Sequence, residues 1–277
     1  MGFTGTFRYR GGKSQLADEI IDLCPPSELF LDAFGGSAAV SVAAVRSGKF
    51  TQVVYNDKDS QLYITLTTIR DHCDELVSFL QQTPLARQTN ESIYNLKHSK
   101  DPIKISAGCI IQLECTLFSP TLHNKPTNCT KKVAVRSAKS VAGGWESWKK
   151  KLANLKLLQD DLLKMFLENK HWLDFVNHYT KVAPCHAGNT NTLVFLDPPY
   201  GDTRNYNADC ESEEVFDWFK EATPQTTKLL CDEVGHPSLD GFEFRQFSYK
   251  RSSKNDTYEH GLYIHDNDVR SHLKGFL

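Results

Sequence analysis

Three short apolar runs, each closed by a carboxylate, constrain this chain more than any other feature. Leu29-Phe30-Leu31 stops at Asp32, Val53-Val54-Tyr55 leads through Asn56 to Asp57, and Leu193-Val194-Phe195-Leu196 stops at Asp197. Runs of this length are strand-sized, and the third has no polar alternation, the pattern of a strand covered on both faces in a parallel sheet. After Asp32, Phe34-Gly35-Gly36-Ser37 reads as a tight turn and 38–45 as a small, apolar helix; a second helix is predicted over 60–69, with Leu62, Leu66 and Ile69 on one side. Strand, turn, helix, strand and helix in that order predict a βαβ unit within an α/β fold. In open sheets of this kind the ligand site lies beyond the carboxyl ends of the strands, so Asp32, Asp57 and Asp197 are expected in one crevice.

The chain has 277 residues, enough for one catalytic domain carrying an insertion. No stretch approaches the ~20 apolar residues of a membrane helix, and the first residues hold no long apolar run, so a soluble, cytoplasmic protein is expected, without a membrane partner. The eight cysteines, at 24, 73, 109, 115, 129, 185, 210 and 231, contain no C-x-x-C pair and no zinc spacing. They read as reduced thiols, and no metal is expected. Three Asn-x-Ser/Thr triplets, at Asn90, Asn128 and Asn255, are read as chance in a chain without a secretory signal.

A net charge of −2 counts mildly against nucleic acid as a partner, but the charge is unevenly spread. Between 119 and 144 the sequence holds Lys125, Lys131, Lys132, Arg136 and Lys139 and no acid, in a stretch rich in Pro, Asn, Ser and Thr. This basic loop interrupts a helical region, which is expected to break at Pro84 and Pro102 and to include a buried segment at 107–117. After it, Trp145, Trp148, Leu152 and Leu155 recur at helical spacing. Further strands are predicted at 228–231 and 261–265.

Acidic strand ends suit a ligand with ribose hydroxyls and positive charge better than one with a pyrophosphate. S-adenosylmethionine has an amine, a sulfonium and a ribose, and no phosphate. Arg10-Gly11-Gly12-Lys13-Ser14 invites a triphosphate-loop reading, because G-K-S closes a P-loop, but Phe7 stands where the first glycine is required. The turn after Asp32 also lacks the G-x-G-x-x-G spacing of a dinucleotide site.

Asp197-Pro198-Pro199-Tyr200 resembles the D-P-P-Y motif of amino-methyltransferases, and the whole chain resembles the Dam-type, D12 class of adenine-N6 DNA methyltransferases. Tyr9-Arg10-Gly11-Gly12-Lys13 is similar to the family's W/Y-x-G-G-K segment, and Asp32-Ala33-Phe34-Gly35-Gly36 to its D-x-F-x-G turn. Asn56-Asp57 resembles the acidic end of its second strand, Asp174-Phe175 the D-F pair before D-P-P-Y, and 259–264 its late strand. The order is that of the α-type arrangement. The resemblance implies a doubly wound mixed sheet, Rossmann-like, of the S-adenosylmethionine-dependent methyltransferase fold. It implies a catalytic domain at 1–70 and 171–277, with a mostly helical DNA target-recognition subdomain inserted at 71–170. Two departures stand out. Ser37-Ala38 occupies a place where many relatives have another glycine. No counterpart is found of the G-x-F-N-x-P-F-G segment of GATC-specific members, so the resemblance does not carry GATC specificity over.

The resemblance further implies that Asp32 and the turn Phe34, Gly35, Gly36 hold the methionine end of S-adenosyl-L-methionine, Lys13 its carboxylate, Asp57 the ribose and Phe175 the adenine. Tyr9, Asp174 and Asp197 complete the cofactor set. At the target amine, Asp197 and the Pro198 carbonyl, stiffened by Pro199, are expected to accept the two N–H bonds, while Tyr200 stacks on a flipped base. Arg8, Asn124, Lys125, Lys131, Lys132, Arg136 and Lys139 are the candidate contacts to double-stranded DNA. Tyr9, Phe34 and Phe175 read equally well as core aromatics, and the Trp145/Trp148 pair better as packing than as a stacking platform. Cytosine N4, RNA adenine or an inactive DNA-binding relative remain alternatives. A cognate restriction endonuclease is a candidate partner, and the chain is expected to be a monomer or weak dimer.

Overall fold

The computed structural model describes residues 12–83, 88–115, 141–182, 191–199, 212–223, 225–233, 236–250 and 257–265. Helix α1 (Ala17–Leu23) leads into β1 (Ser27–Asp32), α2 (Ala39–Ser47), β2 (Phe50–Asn56) and α3 (Ser60–Gln82). The strand-turn-helix pattern of the sequence is thus realised. The Asp59 carboxylate accepts from the backbone of Gln61 and Leu62 and so starts α3. The helix predicted over 60–69 is its first part, which runs to a kink at His72 and continues to Gln82.

A reciprocal Thr89–Ser92 cap opens α4 (Asn90–Lys97), and α5 (Pro102–Cys115) begins on the proline that the sequence suggests as a break. At the first helical position a missing N–H costs nothing, so Pro102 starts the helix. Next come α6 (Val141–Leu162), β3 (Phe166–Glu168), α7 (Trp172–Asn177) running into a π-helical turn (His178–Val182), and β4 (Thr192–Leu196). The described chain continues through α8 (Ser212–Lys220), β5 (Thr226–Glu233), a 3-10 turn (Pro237–Leu239), β6 (Glu243–Lys250) and β7 (Thr257–His265).

The strands form one seven-stranded sheet in the order β3-β2-β1-β4-β5-β7-β6. Neighbours from β3 to β5 are parallel, and β7 runs antiparallel to both β5 and β6. The sheet is mixed and covered by helices on both faces. Alternate strand residues sort to the two sides, as strand periodicity requires. Phe30, Val53, Tyr55, Leu193 and Phe195 pack with α1, α2, α3, α5 and α6. Leu31, Val54, Val194 and Leu196 pack with Trp172, Phe175 and Val176 of α7 and with Val215, Phe216 and Phe219 of α8.

The stretch 71–170 contributes more than helices. Its β3 pairs with β2 at the sheet edge, and Leu152, Leu155 and Leu158 of α6 share the core of α2 and α3. The described parts of this stretch are therefore packed on the sheet and its helices, because a strand whose backbone groups are satisfied by β2 belongs to that sheet. Residues 116–140 lie outside the described residues. No helix among the described residues is long and apolar enough to cross a membrane.

Candidate active site

The strand order reverses between β1 and β4, and the crevice beyond their carboxyl ends is where ligands of open α/β sheets bind. Asp32 lies level with Tyr55 of β2 and Phe195 of β4. Asp57 and Asp197 each follow that level by two residues, so the three acids meet at one end of adjacent strands.

Asp32 is 1 % exposed. Its Oδ2 accepts a 2.6 Å bond from the Ser41 hydroxyl of α2, while its Oδ1 is buried with no hydrogen-bond partner among the described residues. Burial raises its pKa to about 7; the Ser41 bond pulls it down, and the charges of Asp197 and Asp57 push it up again. Asp57 is half-buried. Burial raises it to about 6 against the lowering effect of the backbone N–H groups of Asp59 and Gly36, which bond its carboxylate at 2.8 Å each.

The turn after β1 is held from β2. Gly35 N–H donates to the Asn56 carbonyl (2.8 Å) and the Tyr55 hydroxyl donates to the Gly36 carbonyl (2.9 Å). A Cβ on Gly35 would stand 2.2 Å from the Tyr55 ring, so that position has no room for a side chain. Ala38, which leads into α2, takes the left-handed conformation (φ 62°), a strained one for a residue with a Cβ. Asn56 ties the loops together, its amide donating to the carbonyls of Ala33 and Lys170 and its oxygen accepting from Lys170 N–H.

Lys13 reaches Asp197 from outside the sheet. Its ammonium donates to both carboxylate oxygens, at 2.7 and 2.8 Å, with the lysine side chain 3 % and the aspartate 14 % exposed. The resemblance assigns this lysine to the cofactor's carboxylate; here its partner is the motif acid. Pro198 is buried and Pro199 half-buried. Phe34 stacks on Trp172 at 5.8 Å. Phe175 is fully buried and meets Tyr179 edge-on at 5.3 Å, whereas Asp174 is exposed. Arg8, Tyr9, Tyr200, Asn124, Lys125, Lys131, Lys132, Arg136 and Lys139 lie outside the described residues. Sequence reasoning passed over Ser41, Tyr55 and Trp172, whose roles arise from contacts between elements distant in sequence. Among the described residues no group of three or more His, Cys, Asp or Glu side chains is placed to hold a metal ion.

The family model for D12 class N6 adenine-specific DNA methyltransferases matches residues 9–217. The chain belongs to this family. No curated protein matches it in sequence. As a D12 methyltransferase it is a transferase that acts on adenine N6 of DNA, and the matched span contains Lys13, all three strand-end acids and the Asp197-Pro198-Pro199-Tyr200 motif.

Proposed function

We propose that this D12 methyltransferase moves a methyl group from S-adenosyl-L-methionine to adenine N6 in double-stranded DNA, acting on a base turned out of the helix. The observation that carries the reading is the meeting of Asp32, Asp57 and Asp197 at the β1/β4 switch point. The residues present fit the donor: the buried Oδ1 of Asp32, without a hydrogen-bond partner among the described residues, calls for a hydrogen-bond donor such as an amine, and Gly36 takes the left-handed turn (φ 51°) that glycine allows beside it. Asp57 offers its carboxylate to ribose hydroxyls, and Phe34 with Trp172 provides an aromatic wall. Bound there, the donor supplies an electrophilic methyl group on a sulfonium.

The chain's own work is at the amine. The adenine amino nitrogen is a weak nucleophile because its lone pair is spread into the ring. Asp197 accepts one N–H and the Pro198 carbonyl the other, and both bonds strengthen as positive charge builds on nitrogen. Lys13, which donates to both of its oxygens, keeps the Asp197 carboxylate aimed. After transfer the nitrogen proton is acidic and leaves to Asp197 or water, so no separate strong base is needed. Tyr200 supplies the face for the extruded base, and Arg8, Asn124 and the basic residues between 125 and 139 hold the duplex, Lys131 and Lys132 on phosphates. Target recognition is assigned to the stretch 71–170 with its basic loop, apart from β3, which completes the sheet beside β2.

Asp197→Asn keeps the shape and removes the charge. Expression of wild type and variant, followed by modified-base sequencing of plasmid DNA, should find N6-methyladenine at a defined site with wild type and a loss of about 100-fold or more in transfer with Asp197→Asn. Donor binding, followed by calorimetry, should survive. Undiminished transfer by the variant would remove Asp197 from the mechanism, and a methyl group found on cytosine would redirect the assignment.

A further inference from the structure

β7 carries a buried histidine, His260, only 5 % exposed, which the assignments above leave without a role. Register sets it level with Glu233 of β5 and Phe247 of β6. Leu196 of β4 lies opposite Leu230 of β5, so His260 stands three residues beyond that level, at the edge where Asp197 and Pro198 leave the sheet. Side chains alternate along a strand: Leu262 joins the core of α1 and α2, Tyr263 that of α7 and α8, and His260 shares the face of Leu262. Lys13 arrives on that same face, one turn before α1, with its carbonyl bonded by Leu16 N–H at 2.8 Å and Leu16 in the same core. Two strand spacings, ~10 Å, separate β7 from β4, a distance that a lysine side chain and an imidazole fill together. Electrostatics agree with the placement. Burial, and after it the Lys13 charge, push the imidazole down to about 4 against the opposing charge of Asp197.

We propose that His260 is a positioning residue of the transfer site: its imidazole walls the site on the β7 side and holds the geometry of the Lys13–Asp197 ion pair. A cation at this place would add positive charge beside Asp197 and would draw the carboxylate away from the adenine amine. An apolar side chain would strip the pair of polar surroundings and loosen its geometry. A neutral polar ring does neither. The inference rests on Asp197 being the acceptor for the amine.

The test compares His260→Gln with His260→Phe in steady-state methylation, alongside donor affinity and thermal melting. Glutamine, neutral and polar, should keep kcat within about threefold. Phenylalanine should lower kcat by about 10- to 100-fold with donor affinity unchanged, the signature of lost positioning. Wild-type kcat in His260→Phe, or equal impairment in both variants, would overturn the inference. A readout independent of folding at 260 is the imidazole nitrogen-15 spectrum of the full chain, where Lys13→Met should move the His260 signals; unmoved signals would also overturn it. Asp197→Asn assayed in parallel separates the two failures. Full transfer in that variant sinks the acceptor reading, whereas loss there with a normal His260→Phe sinks only the role of His260.

Discussion

A carboxyl group with one oxygen bonded to Ser41 and the other without a partner among the described residues is poised between two charge states, and Asp32 is held there by burial. Its folded pKa, about 7, lies above the ordinary 3.8. The folded chain therefore holds an extra proton between those values, and stability falls as pH rises through that window. Asp57, raised to about 6, adds to the same trend. A cationic ligand group favours the ionised form, so donor binding should release protons below about pH 7 and tighten as pH rises toward it. Calorimetry in buffers of different ionisation enthalpy measures this, and net proton uptake would contradict it. Ser41→Ala removes the bond that lowers Asp32, so the midpoint of that pH dependence should move upward. Ala38 makes a separate point about strain. Ala38→Gly relieves about 1 kcal/mol of left-handed strain but loses a buried methyl worth about 0.8 kcal/mol, and denaturant melts should find it near neutral. Ala38→Val should cost about 2 kcal/mol or more. Each acid was legible in the sequence as the end of an apolar run. Ser41 and Tyr55 were not, since a hydroxyl in a small-residue helix and an aromatic in a strand give no hint of what they will face.

Between elements, the site is held by close fits and by capped helix ends. Gly35 lies against the ring of Tyr55, so Gly35→Ala should destabilise by about 1–3 kcal/mol and weaken donor binding, while Tyr55→Val in the same chain should recover part of the loss in a double-mutant cycle. Beyond the motif, α8 is clasped by the sheet. Lys228 of β5 donates to the carbonyls of Trp218 and Glu221 at 2.5 and 2.6 Å, with its ammonium 3.8 Å from the Trp218 ring, and the His265 imidazole of β7 lies 2.5 Å from the Phe219 carbonyl. Lys228→Met should therefore cost about 2 kcal/mol and speed hydrogen exchange in α8 before the rest of the sheet. The strands β1, β2, β4, β5 and β7 were readable because each contains an apolar run. By contrast, β3 is only three residues long and is a strand because β2 is there to pair with, and β6 carries Glu243, Arg245, Gln246 and Lys250 at the sheet edge. Their period is too short or too polar to separate from loop.

For the molecule as a whole, DNA must be held by a chain of net charge −2, so local positive charge carries the binding. Lys131→Glu with Lys132→Glu should weaken DNA affinity and flatten its salt dependence by about one unit of slope per lost phosphate contact, leaving donor affinity unchanged. Equal affinity in the variant would release that loop from any role on DNA. A βαβ unit with its acids at one crevice could be anticipated from the acid-ended apolar runs, and the doubly wound plan from the family resemblance. The link from Lys13 to Asp197 could not, because it joins positions 184 residues apart. A chain still emerging from the ribosome exposes that lysine long before its acid is made, and β7 threads between β5 and β6 later again. Pairings of such separation form late, so a product cut short before Thr257 should leave DNA unmethylated, and competence should arrive in one step when synthesis is nearly done.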